Sequence, residues 1–309
     1  MKKSRENADS GAARASLTKR PGTGAAQAGM STPTGRAPVV EVLIRGAPSV
    51  GIHGGPAASE APIRVAPPVV EVAEILVRHY GTWPDESAGP VIDQLVWFLL
   101  STRTTVENCD AAYAALRGGF SGWDEVAEVR EEALYGPLRP AGLYRARAKN
   151  LRAALSAIRE RFGSASLEPL RLWPDSECET FLLGLPGVGL KVARCVMSFG
   201  LGRPVLAVDT HIWRVTRRLG WHNFQGDAPS RRGADHLNAL MPAGLDVLSL
   251  HVDLIRLGRE FCPSGEPRCG ECPLRAICTA AGTKASGARG ESDESPDQFH
   301  GFKKSRPGL

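Results

Sequence analysis

A chain of 309 residues is long enough for one or two domains with a real core. No apolar run reaches the ~18 residues of a membrane-spanning helix, so membrane partners are not expected. The formal net charge of +5 is unevenly spread: residues 67–281 hold 24 basic and 25 acidic side chains, while residues 1–66 hold 9 and 4. The basicity therefore belongs to the ends, and any polyanion bound by the middle of the chain must meet a local patch.

Residues 1–66 are rich in Ala, Gly, Ser, Pro and Arg and lack sustained periodicity, which predicts disorder. They have no secretory h-region, and their arginine-rich, acid-poor composition leaves a transit peptide or a start at Met30 open. From residue 67 helical spacing takes over. Val69–His79 is amphipathic. Val91–Ser101 is almost wholly apolar and reads as a buried central helix. Further helices are predicted at Val106–Arg117, Arg130–Leu134, Ala146–Phe162, Glu177–Leu183, Lys191–Phe199, Asp209–Leu219, Arg231–Leu240 and Val247–Glu260. Strand-like alternation is almost absent, so the fold class is all-α. Residues 282–309 form a second polar tail.

Between the helices at 177–183 and 191–199 stands Leu185-Pro186-Gly187-Val188-Gly189-Leu190-Lys191. Gly187 and Gly189 allow positive φ and bare amides in a tight turn. The following helix start, with its unpaired N–H groups and dipole, suits a phosphate. Of the 24 basic residues in 67–281 only Lys149 and Lys191 are lysines. Arginine keeps its proton in a protein, whereas a partly desolvated lysine can lose it and become a nucleophile. Lys191 is therefore a candidate for covalent chemistry, the alternative being a phosphate-contacting or solvated lysine.

Asp209 follows the apolar run 205–208 and opens Thr210-His211-Ile212-Trp213-Arg214-Val215. An ordinary helix N-cap explains it locally. Facing Lys191 across a cleft, its carboxylate could instead stabilise a cationic sugar intermediate and help to move protons. His211 reads as structural, and Arg214, Arg217 and Arg218 face either DNA or solvent. Cys262, Cys269, Cys272 and Cys278 crowd into one Pro- and Gly-containing loop, with six, two and five residues between them. Four thiolates there suit a [4Fe–4S] cluster or zinc. A cubane suits the wide arcs better, because only one C-x2-C is present. Cys109, Cys178 and Cys195 read as core fillers.

Together, LPGVGLK (185–191), AVDTHIWRV (207–215) and the cysteine loop closely resemble the endonuclease III family of DNA glycosylases, in the helix-hairpin-helix superfamily. The resemblance covers about residues 68–281. It implies a two-domain helix-hairpin-helix glycosylase fold with a C-terminal [4Fe–4S] cluster loop. A six-helix domain would span 85–203, and a cluster domain would combine 67–84 with 204–281. By position Lys191 resembles the Schiff-base lysine and Asp209 the catalytic aspartate. Leu185, Gly187, Val188 and Gly189 form the phosphate-binding hairpin. Leu143 matches the residue that wedges into the base stack, and Arg268 is read as the cluster loop's phosphate contact. The implied activity is base-excision repair of double-stranded DNA carrying damaged bases, often oxidised pyrimidines, or abasic sites. A monomer is expected, cytoplasmic and nucleoid-associated in a bacterium, or nuclear or mitochondrial in a eukaryote.

Three positions depart from the family pattern. Arg103 replaces a glutamine that fills the gap left by the flipped nucleotide, Val106 replaces an aspartate, and Arg194 replaces an asparagine. Arg103 suggests an altered preference for the opposite base or the lesion. A monofunctional adenine glycosylase would lack the lysine and carry a glutamate near 101–103. A non-catalytic DNA-binding or redox-sensing iron–sulfur protein is the rival from another class.

Overall fold

The computed structural model describes residues 65–281 apart from 85, 86 and 88. The disorder expected for 1–66 and 282–309 lies outside these residues, save for Val65 and Ala66. Among the described residues there are eleven α-helices and no strand. They are α1 (Val69–Tyr80), α2 (Val91–Ser101), α3 (Val106–Gly119), α4 (Trp123–Glu128), α5 (Glu131–Leu138) and α6 (Tyr144–Phe162). After these come α7 (Asp175–Gly184), α8 (Leu190–Cys195), α9 (Thr210–Arg218), α10 (Arg231–Ala239) and α11 (Val247–Glu260).

Local chemistry sets most of the helix starts. α1, α2 and α7 each begin directly after a proline, whose ring holds φ near −60°. Thr105, Asp209, Ser230 and Asp246 cap α3, α9, α10 and α11 by accepting a main-chain N–H, each cap contributing about 0.5–2 kcal/mol. Every predicted helix is present, with two differences in extent. α5 runs on to Leu138, with Pro137 in its last turn. α8 ends at Cys195 and continues as a wider π-type turn over Val196–Gly200. The six-residue α4 is too short for periodicity to predict. It is fixed instead by Trp123, whose indole N–H donates to the buried Asp93 at 2.6 Å.

α2 is buried along its whole length, with α3, α6, α8 and the π-type turn packed on it. α4 and α5 lie against α6, while α1 and α9 lie against α11. The two groups meet where α11 reaches the π-type turn. A row of rings runs through that junction: Phe98 lies 5.2 Å from Phe199, and Phe199 lies 5.5 Å from His251.

Candidate active site and nucleic-acid interface

The turn between α7 and α8 closes when the Val188 N–H donates to Leu185 O at 3.1 Å. Leu185 and Val188 are buried, so their side chains anchor the hairpin and only their main chain faces outward. Gly187 has φ +79°, and a Cβ there would sit 2.9 Å from Asn150 Cβ. Both the backbone conformation and the approach of α6 thus require glycine. Gly189 differs from expectation. Its φ of −94° is ordinary extended backbone, since it serves as the N-cap of α8 rather than as a second left-handed residue.

Lys191 occupies the first turn of α8 and is half-buried. Its Nζ lies 5.1 Å from the Phe98 ring centroid, and its charge opposes the rise in pKa of the buried Cys195 thiol one helical turn on. Asp209 heads α9 as its N-cap, with Oδ1 accepting from the Ile212 N–H at 2.8 Å. The two charges act on the same pair of buried groups. Burial pushes the Cys195 thiol pKa up, while Lys191 opposes that shift and Asp209 adds to it. Burial pushes the His251 imidazole down to about 4, with Asp209 opposing and Lys191 reinforcing. The charges of two residues 18 apart in sequence are therefore both felt at one buried thiol and one buried imidazole.

Neither Cys195 nor His251 was legible as part of a site. Cys195 reads as a core filler, and its position four residues after Lys191 is the only signal in the sequence. His251 lies in an unremarkable apolar helix. It is held by the Ala207 main chain, and its Nδ1 has no hydrogen-bond partner among the described residues. His211, expected to be structural, lies among packed neighbours. It meets the Arg214 guanidinium at 3.1 Å and packs under Gly258.

Two exposed side chains, Arg103 and Leu143, adopt left-handed backbone at φ 54° and 47°. Each costs roughly 1–2 kcal/mol for a residue with a Cβ. Leu143 lines a small cavity of about 120 Å³ whose wall also includes Thr102, the residue before Arg103, with Arg147, Asn150 and Gly187.

The four cysteines of the loop line a single cavity of about 320 Å³. Among the described residues no three His, Cys, Asp or Glu side chains converge closely enough to hold one metal ion. The thiols thus surround a volume rather than a point. Burial pushes Cys272 up to about 11, and the neighbouring thiols push it the same way. Arg214 and Arg218 are turned to this loop. Arg214 donates to Cys262 O at 2.9 Å and Gly258 O at 2.9 Å, and Arg218 reaches Cys262 Sγ at 3.1 Å and Pro263 O at 2.7 Å. Of the three arginines of α9 only Arg217 is exposed. Arg268 is exposed too, but it donates to Glu260 O and lies over the Phe261 ring at 5.7 Å. Arg275, which the sequence reading passed over, is the other exposed arginine of the loop.

A family model, the HhH-GPD superfamily base excision DNA repair protein, matches residues 96–235. Endonuclease III of Thermotoga maritima is 33% identical over 184 residues, covering 60% of this chain and 80% of that protein. The chain belongs to the endonuclease III family. Endonuclease III of Bacillus subtilis is 36% identical over 155 residues, 50% of this chain and 65% of that protein. A trapped covalent endonuclease III–DNA intermediate, an estranged-adenine complex, matches with a TM-score of 0.57 at 26% identity. It covers 69% of this chain and 95% of that one.

Two of the departures from the family pattern are absorbed by packing. Arg194 is buried and braces three helices: it donates to Glu179 at 2.8 Å and to Asp235, while Arg231 donates to the other Glu179 oxygen at 2.7 Å. Val106 is buried at the start of α3, where it joins the apolar core. Arg103 stays exposed at a position that can meet a ligand.

Proposed function

We propose that this protein is a bifunctional base-excision repair enzyme that releases damaged bases, oxidised pyrimidines in particular, and cleaves the strand 3′ to the abasic site. The observation that carries the reading is a half-buried lysine, its Nζ 5.1 Å from the Phe98 ring, together with Asp209 at the head of α9, the charges of both being felt at Cys195 and His251. In the proposed reaction the target nucleotide leaves the stack and the deprotonated Lys191 amine attacks the sugar C1′. The C1′–N bond breaks and the base departs with the proton shed by the attacking amine, after which the C1′–O4′ bond opens, O4′ takes up a proton and C1′=N forms. The resulting Schiff base acidifies the C2′ proton, whose loss expels the 3′ oxygen by β-elimination. Asp209 faces the cationic sugar and stabilises it electrostatically. The row of rings from Phe98 to His251 keeps water from one side of the amine.

The amides around Gly187 and the start of α8 suit the DNA backbone, with Arg103 and Leu143 entering the stack and Arg268 meeting phosphate. We read the helices as two lobes, 85–203 and 67–84 with 204–281, and DNA as crossing between Lys191 and Asp209. The large cavity ringed by four thiols, with no three side chains converging on a point, fits a [4Fe–4S] cluster better than a single zinc ion. Cys262, Cys269, Cys272 and Cys278 would hold it. When bound, the cluster supplies cross-linking of a loop that has little core of its own.

Borohydride reduction on duplex DNA containing an abasic site tests the central step. Wild-type protein is expected to form a covalent adduct. Lys191→Ala should form none and lose roughly 10²-fold or more in strand cleavage. Equal trapping in both proteins would refute the role given to Lys191, and DNA binding without trapping in either would favour the non-catalytic alternative.

A further inference from the structure

Arg147 belongs to the first turns of α6 and is 7% exposed, an unusual location for a guanidinium that makes no ion pair with a carboxylate among the described residues. Every hydrogen bond it donates goes either to the C-terminal end of α2 and the residue after it or to the turn that precedes α6. On one side are Leu99 O at 2.8 Å, Thr102 O and Thr102 Oγ1 at 3.3 Å. On the other are Gly142 O at 2.8 Å and Ala141 O at 3.2 Å. The residue after Thr102 is Arg103 and the residue after Gly142 is Leu143, the two non-glycine residues with left-handed backbone among those described. One planar guanidinium therefore grips the residue immediately before each strained position. Three residues further along α6, Asn150 fills the space that a Cβ on Gly187 would need.

We propose that Arg147 is a positioning residue that fixes the loops of Arg103 and Leu143 as one rigid wedge, so that the two side chains enter an opened base stack together. The physical case rests on the fork of the guanidinium. Its five N–H groups lie in one plane at fixed angles, so satisfying carbonyls of both loops fixes their separation and mutual orientation. A lysine at this place would satisfy fewer acceptors and leave the loops free to move apart. The bonds to Leu99 O and Ala141 O are buried, so removal of the guanidinium leaves those two main-chain carbonyls without a ready replacement from water. The strained φ values would then relax independently. This inference rests on the reading of Arg103 and Leu143 as DNA-inserting residues, but its structural half can be measured without DNA.

Backbone amide exchange on the full chain provides that measurement, with Arg147→Met and Arg147→Lys compared with wild type. Faster exchange is expected in both loops together, around 101–105 and 140–144, with α11 unchanged. Loosening of neither loop, or of only one, would overturn the proposal. The second readout is affinity for a duplex carrying a stable tetrahydrofuran abasic analogue and for the same duplex undamaged. Affinity for the analogue should fall roughly tenfold or more, while affinity for intact duplex stays within about twofold, because the wedge works only where the stack is open. An equal loss on both duplexes would also overturn it, by pointing to a general structural defect. If wild type binds the two duplexes equally, the DNA-insertion reading has failed, whereas exchange still decides whether Arg147 holds the loops. Should Arg147→Met not fold, Arg147→Lys carries both measurements.

Discussion

His251 shows how a single buried side chain ties the site to pH. Its pKa in the folded protein, about 4, lies below the ordinary value of 6.5, with burial as the main cause. The unfolded chain therefore takes up the proton first on acidification. The stabilisation is complete above pH 6.5 and is lost as pH falls through the window down to 4, on the order of 2–3 kcal/mol in all. Urea unfolding at pH 7 and pH 4.5 should show a smaller acid loss in His251→Gln than in wild type, and the same loss in both would exclude His251 as the cause. Arg103 is the departure from the family that stays exposed. Its guanidinium suits the acceptor edge of guanine. Cleavage of one lesion opposite each of the four bases should therefore change its order in Arg103→Gln, by up to tenfold at guanine, and identical profiles would reject this role.

At the scale of elements, the α7–α8 hairpin depends on one glycine and one ion-pair brace. Gly187→Ala faces both the left-handed backbone and Asn150 at 2.9 Å. A loss of about 1–3 kcal/mol in thermal or urea unfolding is expected. Asn150→Gly in the same chain should restore the part due to crowding and leave the part due to φ. A Gly187→Ala protein as stable as wild type would mean that the turn can re-form elsewhere. The brace through Arg194 and Glu179 ties α8 to α7 and α10. An arginine is accommodated where the family carries asparagine because its buried guanidinium is paired with two carboxylates, Glu179 and Asp235. The expectation that α9 turns its arginines toward DNA or solvent fails for Arg214 and Arg218, whose guanidinium groups donate to the carbonyls of Cys262 and Pro263 in the cysteine loop.

For the molecule as a whole, the cysteine loop is the element with least core and most to gain from a cross-link. Purified protein should carry about four iron atoms per chain and a broad visible absorbance. Cys272→Ala should lose both and lower the thermal midpoint by several degrees. Zinc in place of iron, or a variant with unchanged iron, would remove the cluster assignment. No helix among the described residues is long and apolar enough to cross a membrane.

Much of the fold and part of the site could be read in advance. The helices around Lys191 and Asp209 announce themselves by apolar spacing, the hairpin by its glycines, and the cysteine loop by its density. These signals are local, since a turn, a cap or a repeat of apolar positions depends on residues a few places apart. The sequence by itself determined the helical class, the hairpin, the two candidate reacting groups and the four thiols. Only tertiary structure decided that Cys195 and His251 feel the charges of Lys191 and Asp209, that Arg194, Arg214 and Arg218 face inward, and that Arg147 grips two loops. A guanidinium looks the same in sequence whether it meets solvent, carboxylate or carbonyl, and its partner is chosen by the packing of helices distant in the chain.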